Sequence, residues 1–168
     1  MELEWIENYM KKAEGLVFED CVDEALAILT DLLYDEPGYA RLHNLIGWVY
    51  LYYTSDVEKA EMHFKMAMRF EPGYAPPYLH LGWMFLTKGV YVEALGYLEQ
   101  GAIKADANNR VAFMEFIGRA YELRGELTKA IRSYRAAMQA SADSHEFARL
   151  SNDIKRCRKK RLTLMFTF

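Results

Sequence analysis

The five residues EPGYA at 36–40 return at 71–75, thirty-five positions later. The neighbourhood repeats with them: RLHNLIGWVYLYY follows the first copy and PPYLHLGWMFLTKG the second, so that Gly47-Trp48 and Gly82-Trp83 fall at the same interval. Self-similarity at a period of 20–50 residues marks stacked supersecondary units, none of which can bury its apolar face alone.

Aligning on small side chains extends the pattern to four units. Ala13, Gly47, Gly82 and Gly118 form one column, Ala25, Ala60, Ala94 and Ala130 a second, and Leu32, Ala67, Gly101 and Ala137 a third. Bulky residues fill the columns between, with Leu16, Tyr50, Phe85 and Tyr121 in one and Leu29, Phe64, Leu98 and Tyr134 in another. Apolar positions three and four apart make each unit two helical stretches of about a dozen residues. The breaks between them fall at Glu19-Asp20, Tyr53–Asp56, Lys88-Gly89 and Arg124-Gly125. Two antiparallel helices approach closely only where a backbone meets a small side chain, with a large one from the facing helix beside it. Pro37 and Pro72 end their units because proline cannot continue a helix, and Gly38 and Gly73 are expected to supply backbone freedom for the turn.

A small residue, an aromatic three later, an alanine nine after that, then aromatic, small residue and proline resembles the tetratricopeptide repeat. Four copies cover about 6–39, 40–74, 75–110 and 111–144. The resemblance implies an all-α fold, a right-handed α-solenoid of four helix-turn-helix repeats. The second unit carries one extra residue near its internal turn, and the last two close on Asp106 and Ala142 where proline is usual. Asp143 and Glu146 stand in capping-box spacing ahead of a further helix whose apolar stripe is Phe147, Leu150, Ile154 and Cys157. We expect 144–161 to be a capping helix over the raw end of the stack.

Composition supports a core and excludes several function classes. Hydrophobic residues make up 52% of the chain, yet nothing approaches the ~18 consecutive apolar residues of a membrane span. The acidic, non-apolar start MELEWIENYMKK carries no secretory pattern, and Cys21 and Cys157 lack metal-type spacing, so two free thiols and a cytoplasmic location are expected. No GxxxxGK, GxGxxG or HExxH occurs. His43, His63, His80 and His145 never stand three or four apart, and His43 occupies a core column. We expect no enzyme, no cofactor and no metal.

The resemblance implies binding instead: in that family the first helix of each pair lines a concave groove for an extended or helical partner segment. Projected here, the face carries Met10, Glu14, Val17 and Phe18, then Arg41, Asn44, Trp48, Leu51 and Tyr52. It continues with Pro76, Leu79, Trp83 and Leu86, then Glu115, Arg119 and Glu122. The partner-binding set is Met10, Phe18, Arg41, Asn44, Trp48, Tyr52, Leu79, Trp83, Leu86 and Arg119. Trp48 and Trp83 either pack between repeats or stand as anchors on the groove wall, and we expect partial exposure. Met10, Glu14 and Leu45 replace the lysines and asparagines with which some relatives clamp chaperone carboxylate tails. The apolar face resembles that of the small tetratricopeptide chaperones of type III secretion translocators, the alternative reading beside a self-associating structural protein.

The ending departs from the repeat. KRCRKKR at 155–161 holds six of the 21 basic residues and no acid, leaving a body near −9. We read the run as cations that complement a helix end and rest on an acidic body. The other reading is a handle for an anionic partner such as lipid head groups or an acidic protein. Without interleaved aromatics, nucleic acid is not expected to bind it. LTLMFTF at 162–168 alternates, placing Leu162, Leu164, Phe166 and Phe168 on one side of an extended chain. This apolar tail either enters a groove, its own or that of a second copy in a homo-oligomer, or lies over the cap helix or stays unordered.

Overall fold

The computed structural model describes residues 4–166, apart from the side chains of Ala107, Asn108, Met165 and Phe166. The helices are α1 (Glu4–Phe18), α2 (Val22–Asp35), α3 (Ala40–Val49), α4 (Val57–Phe70), α5 (Pro76–Thr87), α6 (Tyr91–Lys104), α7 (Ala107–Leu123), α8 (Leu127–Ala140) and α9 (Ser144–Phe166), with a π-helical turn at Tyr50–Thr54 after α3. The helices follow one another as α1–α2, α3–α4, α5–α6 and α7–α8, ahead of α9, and α7 begins within the span 75–110 that the sequence reading gave to the third repeat. No strand occurs among the described residues. The chain divides into two units, Met1–Pro77 and Tyr78–Phe168.

In the first unit the interior is built from Ile6, Met10, Ala13 and Val17 of α1, Ala25, Leu29 and Leu32 of α2, and Leu42, Leu45, Ile46 and Val49 of α3. Ala60, Phe64 and Ala67 of α4 are fully buried. The small columns are the sites of close approach: a Cβ at Gly47 would lie 2.8 Å from the Phe64 ring and 3.2 Å from the Ala60 carbonyl. In the second unit a Cβ at Gly82 would meet Leu98 at 2.4 Å, one at Gly101 Phe113 at 2.2 Å, and one at Gly118 Tyr134 at 2.8 Å.

The turns inside the pairs share a mechanism. After α1, α5 and α7 the chain passes through a left-handed residue, Asp20, Gly89 or Gly125. The amide five residues on returns to the helix: Cys21 to Leu16 (2.8 Å), Val90 to Phe85 (2.9 Å) and Glu126 to Tyr121 (2.9 Å). This is the Schellman closure, satisfying carbonyls the helix end leaves open. In the second repeat the left-handed residue is Ser55 and the closing bond, Asp56 to Tyr50 at 3.0 Å, spans one residue more. The π turn thus absorbs the extra residue seen in the sequence. Gly38 and Gly73 behave otherwise than expected: neither is left-handed, and at neither would a Cβ meet anything closer than the 3.7 Å between Gly38 and Phe70. The turns they occupy close instead through Tyr39 and Tyr74 amides on the Glu36 and Glu71 carbonyls.

Leu150, Ile154 and Cys157 of α9 are buried with α8 residues Leu127, Ile131 and Tyr134, whereas Phe147 stays exposed. Asp143 Oδ1 accepts from the Glu146 amide at 3.2 Å, while the Glu146 carboxylate takes the Ser141 hydroxyl at 2.7 Å. The helix does not stop near Arg161 but runs through Phe166, so the described part of the apolar tail is helical and Leu162 and Leu164 are exposed. With no strand edge to join, helical hydrogen bonding is the way to satisfy these amides and carbonyls; Phe168 lies outside the described residues.

Among the described residues, three ion pairs join side chains 34 residues apart: Glu7–Arg41, Glu115–Arg149 and Glu122–Arg156. In these pairs α1 meets α3 and α7 meets α9, so α9 takes the place of the first helix of a fifth repeat. Glu122 is buried and receives Arg156 at 2.6 and 2.8 Å, Lys160 at 2.7 Å and the Tyr134 hydroxyl at 3.0 Å. Burial pushes its carboxyl up, but the hydrogen bonds from Arg156, Lys160 and Tyr134 outweigh that and hold it at about 2. Tyr134→Phe removes one donor from this buried carboxylate and is expected to cost about 1–2 kcal/mol in urea unfolding. An unchanged midpoint would show that the two cations suffice.

Candidate functional site

The first unit gathers aromatic side chains around Trp48. Phe18, at the end of α1, lies edge-on to it at 6.0 Å between ring centroids; Tyr52 is at 6.2 Å and Tyr53 at 4.9 Å. Phe18 is 73% exposed and Tyr52 45%. Trp48 itself is half-buried. Helical phase explains the neighbours: Asn44, Trp48 and Tyr52 are four apart on one face. Tyr53, five beyond Trp48, is brought in by the π turn, whose bonds run i to i+5.

Asn44 adds a polar element. Its side-chain Oδ1 is buried with no hydrogen-bond partner among the described residues. Leaving such an acceptor unmade costs about 1–3 kcal/mol. Arg41, one turn earlier, is exposed, and its guanidinium donates to Glu7 at 2.9 Å, where the Tyr39 hydroxyl also donates. The Tyr39 hydroxyl and Arg41 hold the Glu7 carboxyl below its ordinary value.

Of the residues inferred from sequence, Phe18, Asn44, Trp48, Tyr52 and Arg41 thus fall on α1, α3 and its π turn in one unit. Leu79 and Trp83 are half-buried in the second unit, and Arg119 is exposed there beside Glu115, Glu122 and Arg149 in a cleft of about 440 Å³. Met10 and Leu86 are corrected: at 6% and 5% exposure they belong to the interior. A helix face projected by phase alone cannot tell a groove-lining position from one that a neighbouring helix covers. Glu122, projected onto the same face, is likewise buried by its partners on α9.

A buried histidine pair escaped the sequence reading because its members are 20 residues apart. His43 Nδ1 and His63 Nδ1 lie 3.1 Å apart, and His43 Nε2 is 3.0 Å from the Pro37 carbonyl. A carbonyl only accepts, so His43 carries its proton on Nε2 and takes the His63 Nδ1–H on its free nitrogen. Phe70 stacks on His43 and Tyr50 on His63. Burial lowers both rings, His63 to about 4 with a further contribution from His43. No group of three or more candidate metal ligands occurs among the described residues. Both cysteines are free. No described helix is long and apolar enough to cross a membrane.

Residues 114–144 match the tetratricopeptide repeat family model. No curated protein matches the chain. Among solved structures it is similar to PilF of Pseudomonas aeruginosa, with 15% identity, a TM-score of 0.80, and coverage of 94% of this chain and 69% of that one. MamA from Desulfovibrio magneticus RS-1 aligns with 19% identity and a TM-score of 0.71 over 95% of this chain and 92% of that one. TTC0263, a thermophilic TPR protein of Thermus thermophilus, does so with 20% identity and a TM-score of 0.71 over 87% and 79%. The fold is that of the all-α tetratricopeptide solenoids. The chain thus carries a tetratricopeptide repeat match over residues 114–144 and shares the fold of tetratricopeptide repeat proteins over most of its length.

Proposed function

We propose that the protein is a non-catalytic interaction module that binds a segment of a partner protein on the aromatic surface of its first unit. The observation that supports this most is the cluster of exposed rings, Phe18, Tyr52 and Tyr53, gathered around Trp48. A segment laid on this face buries an apolar side chain against these rings. The partner is therefore a peptide with one or more large apolar anchors. The two free thiols suit a reducing cytoplasm.

Selection of displayed dodecamer peptides on the purified protein tests this. Enriched peptides should carry apolar anchors, and Trp48→Ala should weaken them by about thirtyfold or more, a loss of about 2 kcal/mol. Equal binding by wild type and this variant, with helicity retained, would place recognition elsewhere. Absence of any enriched peptide together with a concentration-dependent mass in sedimentation would favour a second copy as occupant.

A further inference from the structure

The six cations of residues 155–161 do not share one task. Arg156 and Lys160 are spent on Glu122. Arg158 and Arg161, three apart on α9, turn to another side and line a cleft with Arg132 and Arg135, three apart on α8. The cleft measures about 490 Å³; Thr128 and Gln139 add hydrogen-bonding groups, and Ile131 and Ala136 are apolar. No acidic residue lines it, and none of the four arginines has an ion pair among the described residues, in a chain with 24 acidic residues against 21 basic. Four guanidinium groups around one cleft repel one another, and that repulsion is a standing cost which a bound anion removes.

We propose that this cleft binds a compact anion bearing two or more phosphoryl groups. Guanidinium forks match phosphate oxygens in pairs, and each phosphoryl group provides enough acceptors for two arginines. A lone phosphate neutralises too little of the charge and fills too little of the space. The lining offers no aromatic side chain on which a base would stack, which disfavours single-stranded nucleic acid. The phosphoryl groups come either from a free polyphosphate compound or from a phosphoinositide headgroup.

Titration calorimetry of the full chain with inorganic tripolyphosphate should show binding that weakens as salt rises. Arg132→Gln/Arg158→Gln should reduce affinity about tenfold or more, whereas Arg69→Gln/Arg110→Gln, which changes the charge equally elsewhere, should leave it unchanged. Co-sedimentation with phosphatidylcholine vesicles, with and without phosphatidylinositol bisphosphate, separates the sources. Capture that needs the bisphosphate and is lost in Arg132→Gln/Arg158→Gln assigns the lipid headgroup; tripolyphosphate binding without vesicle capture assigns a free compound. No binding of either probe, or equal weakening by both double variants, would overturn the proposal; circular dichroism confirms that each variant is folded.

Discussion

Replacing Phe64 with alanine is expected to lower the free energy of unfolding by about 3–5 kcal/mol, measured by urea denaturation. Its ring is fully buried and presses on the backbone of α3 at Gly47. Truncation removes both the transferred apolar surface and the contacts of everything around the resulting void. Gly47→Ala alone should cost about 1–3 kcal/mol, since the new methyl would sit inside the ring's contact distance. Combined, the two changes should do less harm than their sum by more than about 1 kcal/mol, because the methyl enters the space the ring has left. The 3.2 Å approach to the Ala60 carbonyl limits the rescue to a partial one. Strict additivity would mean that the small-against-large pairing of these columns is not what brings the helices together.

The second large effect is on acid tolerance. His63 titrates at about 4 in the folded chain, against an ordinary 6.5, and His43 is lowered in the same direction. Either ring must give up burial as a neutral group to accept a proton, and a second proton would set two cations against each other across 3.1 Å. The unfolded chain therefore binds protons that the folded chain refuses. The contribution is complete above about pH 6.5 and is lost as pH falls from there to about 4; for His63 it amounts to about 3 kcal/mol. His80, lowered by burial to about 4, acts in the same sense in the second unit. Glu122 adds a separate loss between 4.5 and about 2. Urea midpoints measured at pH 7.5 and 4.5 should differ strongly in the wild type and less in His43→Leu/His63→Leu. An equal decline in both proteins would assign the effect to other groups.

How much of this was written locally can be argued residue by residue. Ala13, Gly47, Gly82 and Gly118 announce helix contacts because the size of a side chain decides how near two backbones come, and that information sits in the residue itself. Asn44, Trp48 and Tyr52 share one face because they are four apart, which the sequence also shows. That the cations of 155–161 rest on an acidic body is legible in the charge distribution, but their acceptor is not, because Glu122 meets Arg156 and Lys160 34 and 38 residues downstream and nothing beside Glu122 marks that encounter. The histidine pair was missed likewise: a search for neighbours on one helix cannot see two rings on facing helices. Met10 and Leu86 were misplaced because phase gives the direction of a side chain but not what covers it.

The surplus residue in the second repeat has a consequence for how such surfaces arise. Trp48 has neighbours both four and five positions ahead, and the closer ring is the more distant in sequence. A regular helix would have carried Tyr53 round to a different side. The one extra residue, taken up as a widened coil, therefore accompanies a further ring beside Trp48. In proteins made of tandem modules, length variation at a single hairpin is a route to a new recognition patch as direct as changing the side chains themselves.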